Sequence, residues 1–296
     1  MTTEAAATKG KKKPATPPPA QEAPPSVPAP TGQTTALTTA APVGQGSWGS
    51  EGLDMSDVKI PKLLLMQGQS ELVAQQKANI GDIIRSTNGE VVVPRGGGNV
   101  HFIPLLSRKT WRVMEMEGAK FEFRRIEPMT EENKNRPLEW EEGTGDKKTK
   151  WRADRIFGVF ALLTSDIERE AKALLEGGDP DAACIPVLIE FARTSYNAGK
   201  DIATHIAHAR KFNQPPAYWG LSLSTEAQSN DLGHYVVFKV SKGMRTTPEN
   251  LKLAYDWYQV ISAGKAQVDE VADPAAGSTD GPRRTDTPAA EANDDY

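Results

Sequence analysis

The sequence predicts a mainly β fold with two or three helices, an α+β domain flanked by two segments too polar to fold. Three observations carry that prediction. Short runs rich in Val, Ile and Phe, separated by Gly, Asn and Pro, recur through the middle of the chain. Helical spacing of apolar residues is confined to stretches late in it. Both ends are poor in large apolar residues and rich in Pro, Ala, Thr or Asp.

Residues 1–55 form an Ala/Pro/Thr-rich leader with Pro17-Pro18-Pro19 and Lys11-Lys12-Lys13. Such a segment buries too little to offset the entropy of ordering it, so disorder is expected. The folded domain is expected over residues 56–268, beginning near Val58-Lys59-Ile60-Pro61. Strands are expected at Asp82 to Ser86 and Glu90 to Pro94, joined by Asn88-Gly89, which supplies the positive φ of a tight turn. Val100 to Leu106, Trp111 to Glu117 and Phe121 to Ile126 follow, the last two as a hairpin. From Glu127 to Arg152 the composition turns charged, and the segment reads as a long inserted loop between strands.

Strand signal returns at Ile156 to Thr164 and Ile185 to Ala192, with a helix from Asp166 to Glu176 between them that Gly177-Gly178 ends. Ala198, Ile202, Ile206 and Ala209 recur at helical spacing, which predicts a helix to about Phe212 capped by Thr194 or Ser195. Tyr218 to Thr225 and His234 to Ser241 form a hairpin. A last helix starts at Thr247-Pro248, cap and first helical residue, and runs to about Ile261. A helix ahead of the last two strands suits an OB-like, partly open antiparallel barrel with an inserted charged loop.

The chain of 296 residues has a formal net charge of −4. Residues 269–296 hold eight acidic residues against Arg283 and Arg284, so this tail alone is more negative than the whole chain. It is expected to be disordered. The domain is then close to neutral, which excludes a strongly basic nucleic-acid binder by bulk charge but leaves room for one basic face, because potential acts locally within a Debye length. Cys184 is the only cysteine, so disulfides and thiolate clusters are excluded and a small buried hydrophobe is expected. With no long apolar run and no apolar leader, a soluble cytoplasmic protein without a membrane partner is expected.

No catalytic constellation is evident. Gly96-Gly97-Gly98 lacks the Lys-Ser/Thr of a phosphate loop. His205 and His208 lack a third ligand, so neither a metal nor another cofactor is expected. What remains is aromatic residues interleaved with cations, the combination that single-strand binding requires for base stacking and phosphate contact. The candidates are Trp111, Arg112, Arg124, Arg125, Trp140, Lys150, Trp151 and Arg152, together with Tyr235, Lys239, Lys242 and Arg245 in the last hairpin. Trp140 and Trp151 sit among charges with little apolar company. Alternation places Tyr235 and Lys239 together on the face opposite Val236, Phe238 and Val240.

The ending Asp294-Asp295-Tyr296 with its acidic tail, the strand-helix-hairpin order from Ile185 to Ser241, and the segments from Phe191 to Ser195 and Asn230 to Tyr235 resemble the single-stranded DNA-binding proteins of bacterial viruses. The resemblance implies an OB-type core and a non-catalytic protein that coats single strands in replication and recombination. It also implies a tail, through Asp294, Asp295 and Tyr296, that recruits a DNA polymerase or a helicase-primase. Homo-oligomerisation is compatible with it. The alternative function is a virion structural or scaffold-like assembly protein of a phage.

Overall fold

The computed structural model describes residues 58–268, apart from residues 69, 118–119, 145–147, 232 and 265–266. The expected leader and the acidic tail with Asp294, Asp295 and Tyr296 lie outside the described residues. The fold is mainly β with helices, as expected, and its sheet is open.

Chain order begins with β1 (Lys59–Ile60), β2 (Lys62–Leu65), a single helical turn α1 (Glu71–Ala74), β3 (Ile83–Arg85) and β4 (Val91–Val93). Asn88-Gly89 makes the expected turn, with Gly89 at φ 70° and its N–H donating to the Arg85 carbonyl at 2.9 Å. Next come β5 (Val100–Glu117), β6 (Lys120–Pro128), β7 (Glu139–Glu142) and β8 (Thr149–Leu163). The two strands expected within residues 100–117 are one. Nothing from Leu105 to Glu117 is Gly or Pro, and the polar residues Ser107 to Thr110 stay in the ladder opposite Val159 to Ile156.

The charged segment from Glu127 to Arg152 is not a plain loop. It contains β7, which pairs with the start of β8, setting Glu139 opposite Arg152, Trp140 opposite Trp151 and Glu141 opposite Lys150. Opposite charges and paired rings across a ladder stabilise a hairpin that composition alone reads as solvated. With β5 and β6 it forms a four-stranded arm.

After β8 follow α2 (Thr164–Glu176), β9 (Val187–Ala192), α3 (Tyr196–Lys211), β10 (Trp219–Asn230), β11 (Gly233–Arg245), α4 (Pro248–Ser262) and β12 (Gln267–Val268). The helices are those expected, with α1 in addition. Gly177 ends α2 at φ 115°, and the Thr247 hydroxyl accepts from the Asn250 N–H at 3.3 Å to cap α4. The cap expected of Thr194 or Ser195 is not made. The Ser195 Oγ instead accepts from the Phe238 N–H at 3.2 Å and ties the start of α3 to β11.

Ten strands run in the order β11-β10-β5-β8-β9-β2-β3-β4, with β6 beside β5 and β7 beside β8, while β1 and β12 pair separately. One core cluster collects Val93 of β4, Leu63, Phe102, Phe157, Phe191, Leu221 and Phe238 of β11 with Ile202 and Ile206 of α3. Residues from both ends of the strand order meet in one cluster only if the sheet curls. It does not close, because β4 and β11 do not pair, although the Gln67 amide donates to the Val236 carbonyl at 2.9 Å. The other face of β5 and β8 carries Ile103, Leu105, Phe160 and Leu162 against Trp257 and Ile261 of α4, with Cys184 buried among them. That double burial explains the unbroken apolar run of β8. Burial pushes the Cys184 thiol up to about 12.

Candidate nucleic-acid interface

On the arm, every candidate cation named from the sequence stands beside a carboxylate. Arg124 reaches Glu115 at 2.6 Å and Glu117 at 2.9 Å, which raises its pKa. Arg125 reaches Glu127 at 2.6 Å, Lys150 lies 4.0 Å from Glu141, and Arg152 lies 3.2 Å from Asp154. Arg112 is buried and lies 3.4 Å from Glu190, so it is part of the internal charge network rather than a surface cation.

The arm's tryptophans also differ from the expectation. Trp111 is 0 % exposed, with Val113 and Ala153 in a core cluster and its indole N–H donating to the Asn133 amide oxygen at 3.2 Å. Its ring is not available to a base. Trp140 and Trp151 have apolar company after all: half-buried against that cluster, they stack on each other at 6.2 Å with 12° between planes. Arg136 lies over Trp140 at 5.4 Å and Arg125 over Trp151 at 5.5 Å. Hydrophobic burial and cation–π contact therefore occupy much of the surface that stacking would use.

In the last hairpin, Tyr235 is half-buried and Lys239 is exposed, but Val237 between them is buried at 4 %, so the two do not share an open face. Lys239 pairs with Glu226 at 2.8 Å. Lys242 and Arg245 are different. The Lys242 ammonium lies 4.1 Å from the centre of the Trp219 ring, and the Arg245 guanidinium lies 4.7 Å from that of Tyr218. All four belong to the base of the β10–β11 hairpin, and Tyr218 and Trp219 were not singled out in the sequence. The register of the β10–β11 ladder sets Leu221 opposite Lys242 and, past an irregularity, Trp219 opposite Arg245.

This hairpin base adjoins α3: burial lowers the pKa of His205, and the nearby Lys242 and His208 charges act in the same direction. From Arg193 to Phe212 the chain holds four basic residues against Asp201 alone. Arg193 is tied to Asp154 at 2.7 Å, whereas Lys200 and Arg210 project from α3. Gly199 lets the helix lie directly on the sheet, because a Cβ there would come within 2.7 Å of the Phe157 Cβ.

On the opposite flank of α3, a groove of about 470 Å³ opens against β5, lined by Arg108, Lys109 and Arg210 with Phe157, Ala203 and Ile206, and no carboxylate lines it. Burial pulls the Arg108 pKa down while nearby Glu190 opposes the shift. Further along the same face, Arg155 lies 5.3 Å over Trp111, and its charge acts on the half-buried Tyr196 phenol, whose pKa burial raises. Lys200 sits 5.9 Å from the Tyr196 ring. Among the described residues, Lys109, Arg155, Lys200, Arg210, Lys242 and Arg245 have no carboxylate within ion-pair distance.

Among the described residues, both flanks of α3 thus offer unneutralised cations, three of them beside partly exposed aromatic rings, Tyr196, Trp219 and Tyr218. Such a surface attracts a polyanion, and its rings and alkyl walls suit bases and sugars. Among the described residues, no three His, Cys, Asp or Glu side chains gather to hold a metal ion, and no helix is long and apolar enough to cross a membrane. The chain matches no protein-family model, no curated protein and no solved structure.

Proposed function

We propose that the chain is a non-catalytic single-stranded DNA-binding protein of the bacteriophage type, acting in the cytoplasm of the infected cell, with its curled sheet serving as an OB-like, partly open barrel. The observation that carries this proposal is the set of unpaired cations around α3, from Lys109, Arg155, Lys200 and Arg210 on one flank to Lys242 and Arg245 on the other. Free cations release counterions on meeting phosphates, whereas cations already held by carboxylates must first exchange partners. The near-neutral domain can therefore bind a polyanion through one surface.

In this proposal the acidic tail ending Asp294-Asp295-Tyr296 docks the replication partner, a polymerase or helicase-primase, and its charge competes with DNA for the basic surface. Electrophoretic titration with oligo-dT at low and high salt tests the proposal. A shift at low salt that weakens steeply as salt rises supports it. Folded protein that leaves oligo-dT unshifted at low salt overturns it, and an assembly protein of the virion would behave that way.

A further inference from the structure

Between Phe102 and Thr110, one edge of β5 has no partner strand among the described residues: β10 pairs as far as Phe102, and β6 joins only at Thr110. Along this gap the Lys109 carbonyl accepts from the Met129 N–H at 3.0 Å. The groove beside α3 lies at the same place, since Ser107, Arg108 and Lys109 form one wall of it. The other wall is α3, where Ala203, Ala207 and Arg210 recur at spacings of four and three and so share one side of the helix. Small residues at 203 and 207 leave the space open; Arg210 closes one end with a cation.

We propose that this gap in the sheet is a nucleotide subsite, holding one nucleotide of a bound single strand with its phosphate between Lys109 and Arg210 and its sugar and base edge against Ala203 and Ile206. This deepens the proposed function and rests on it. The volume of about 470 Å³ falls within the ~300–1,000 Å³ of small-ligand sites, so the groove takes one such unit rather than a folded partner. Cations without a lining carboxylate favour a phosphate, and the alkyl wall separates a nucleotide from a purely acidic peptide, which has little to place there. Across α3, the Lys242–Trp219 and Arg245–Tyr218 pairs offer the next cation and ring sites.

The test is fluorescence anisotropy of labelled oligo-dT against full-length protein, the double variant Lys109→Ala/Arg210→Ala, and Ala207→Trp, which fills the groove and keeps every cation. Ala207 and Arg210 are exposed on α3, Lys109 is exposed on β5, and thermal melts verify folding. The double variant is expected to lose about tenfold or more in affinity and to flatten the slope of log K against log salt by about 0.7, for one lost phosphate contact. Ala207→Trp is expected to weaken binding at least fivefold with the charges intact. Folded variants that bind as wild type with an unchanged slope overturn the subsite alone, while wild-type protein that fails to bind oligo-dT overturns the proposed function beneath it. Oligoglutamate that displaces oligo-dT from wild type but not from Ala207→Trp would assign the groove to an acidic peptide and likewise overturn the subsite.

Discussion

The β5–β8 arm and the surroundings of α3 both carry many cations, and they differ in what stands beside each one. On the arm, Arg124, Arg125, Lys134, Arg136 and Arg152 reach Glu or Asp, and the long rings of Trp140 and Trp151 stack on each other. Around α3, Lys200, Arg210, Lys242 and Arg245 have rings or open groove as neighbours instead. Exposed ion pairs contribute only ~0–1 kcal/mol each to stability, so the arm's charges chiefly cancel its field. The comparison teaches that a local count of Arg and Lys overstates the free positive charge of a surface unless the carboxylates across each strand are counted with them.

The largest expected effect separates core from surface. Trp111→Ala removes a ring that is 0 % exposed and should cost about 3–5 kcal/mol in urea unfolding. Trp140→Ala, at the half-buried stack, should cost only ~1–2 kcal/mol, since it loses a ring pair and partial burial. Equal losses at both sites would erase the distinction between a buried arm root and a half-covered arm surface.

Charge reversal sharpens the same contrast. Lys200→Glu with Lys242→Glu should weaken oligo-dT binding about 100-fold at low salt, because each change removes a contact and adds a repulsion. Arg124→Glu with Arg125→Glu should weaken it less than tenfold, despite the same change in net charge. Anisotropy titrations of both double variants check this, and equal losses would mean that net charge rather than position governs binding.

Gly199→Ala probes how α3 is seated. A Cβ 2.7 Å from Phe157 forces the helix off the sheet, costing ~1–3 kcal/mol, partly offset by the ~1 kcal/mol that Ala adds to a helix interior. A net loss of stability, with oligo-dT affinity reduced alongside it, is expected. Stabilisation would show that the helix has room.

The smallest effect is electrostatic. Burial, Lys242 and His208 lower the folded-state pKa of His205, so below the ordinary histidine value the unfolded chain binds a proton that the folded chain does not. Stability should therefore fall as pH drops through roughly 6.5 and below, and His205→Gln should flatten that window. Thermal melts between about pH 7.5 and 5.5 measure it. An unchanged profile in the variant would assign the slope to other groups.

Much of the fold was legible in the residues. Asn88-Gly89 fixed a hairpin, Gly177 a helix end and Thr247-Pro248 a helix start, because each acts through local backbone geometry. Within the arm the β5–β6 hairpin was legible, but the β7–β8 pair was not, since β7 forms only when Trp140 and Glu141 meet Trp151 and Lys150 across the ladder. Of the candidate site, Lys242 and Arg245 were read as a cation track continuing past the expected strand end at Ser241, and the structure carries the strand on through both. Trp111 was misplaced because an aromatic in a strand looks alike from either face. Lys109 and Arg210 were missed because they are 101 positions apart and meet only through the docking of α3 on the sheet.

The central claim is that this near-neutral domain binds single strands through the free cations around α3, and the most direct test is the salt dependence of wild-type affinity for oligo-dT. Anisotropy titrations from about 50 to 300 mM salt should give log K falling linearly with log salt, with a slope of roughly −3 for four or five phosphates at ~0.7 each. Binding that is absent at the lowest salt, or an affinity that does not change across the range, would contradict it.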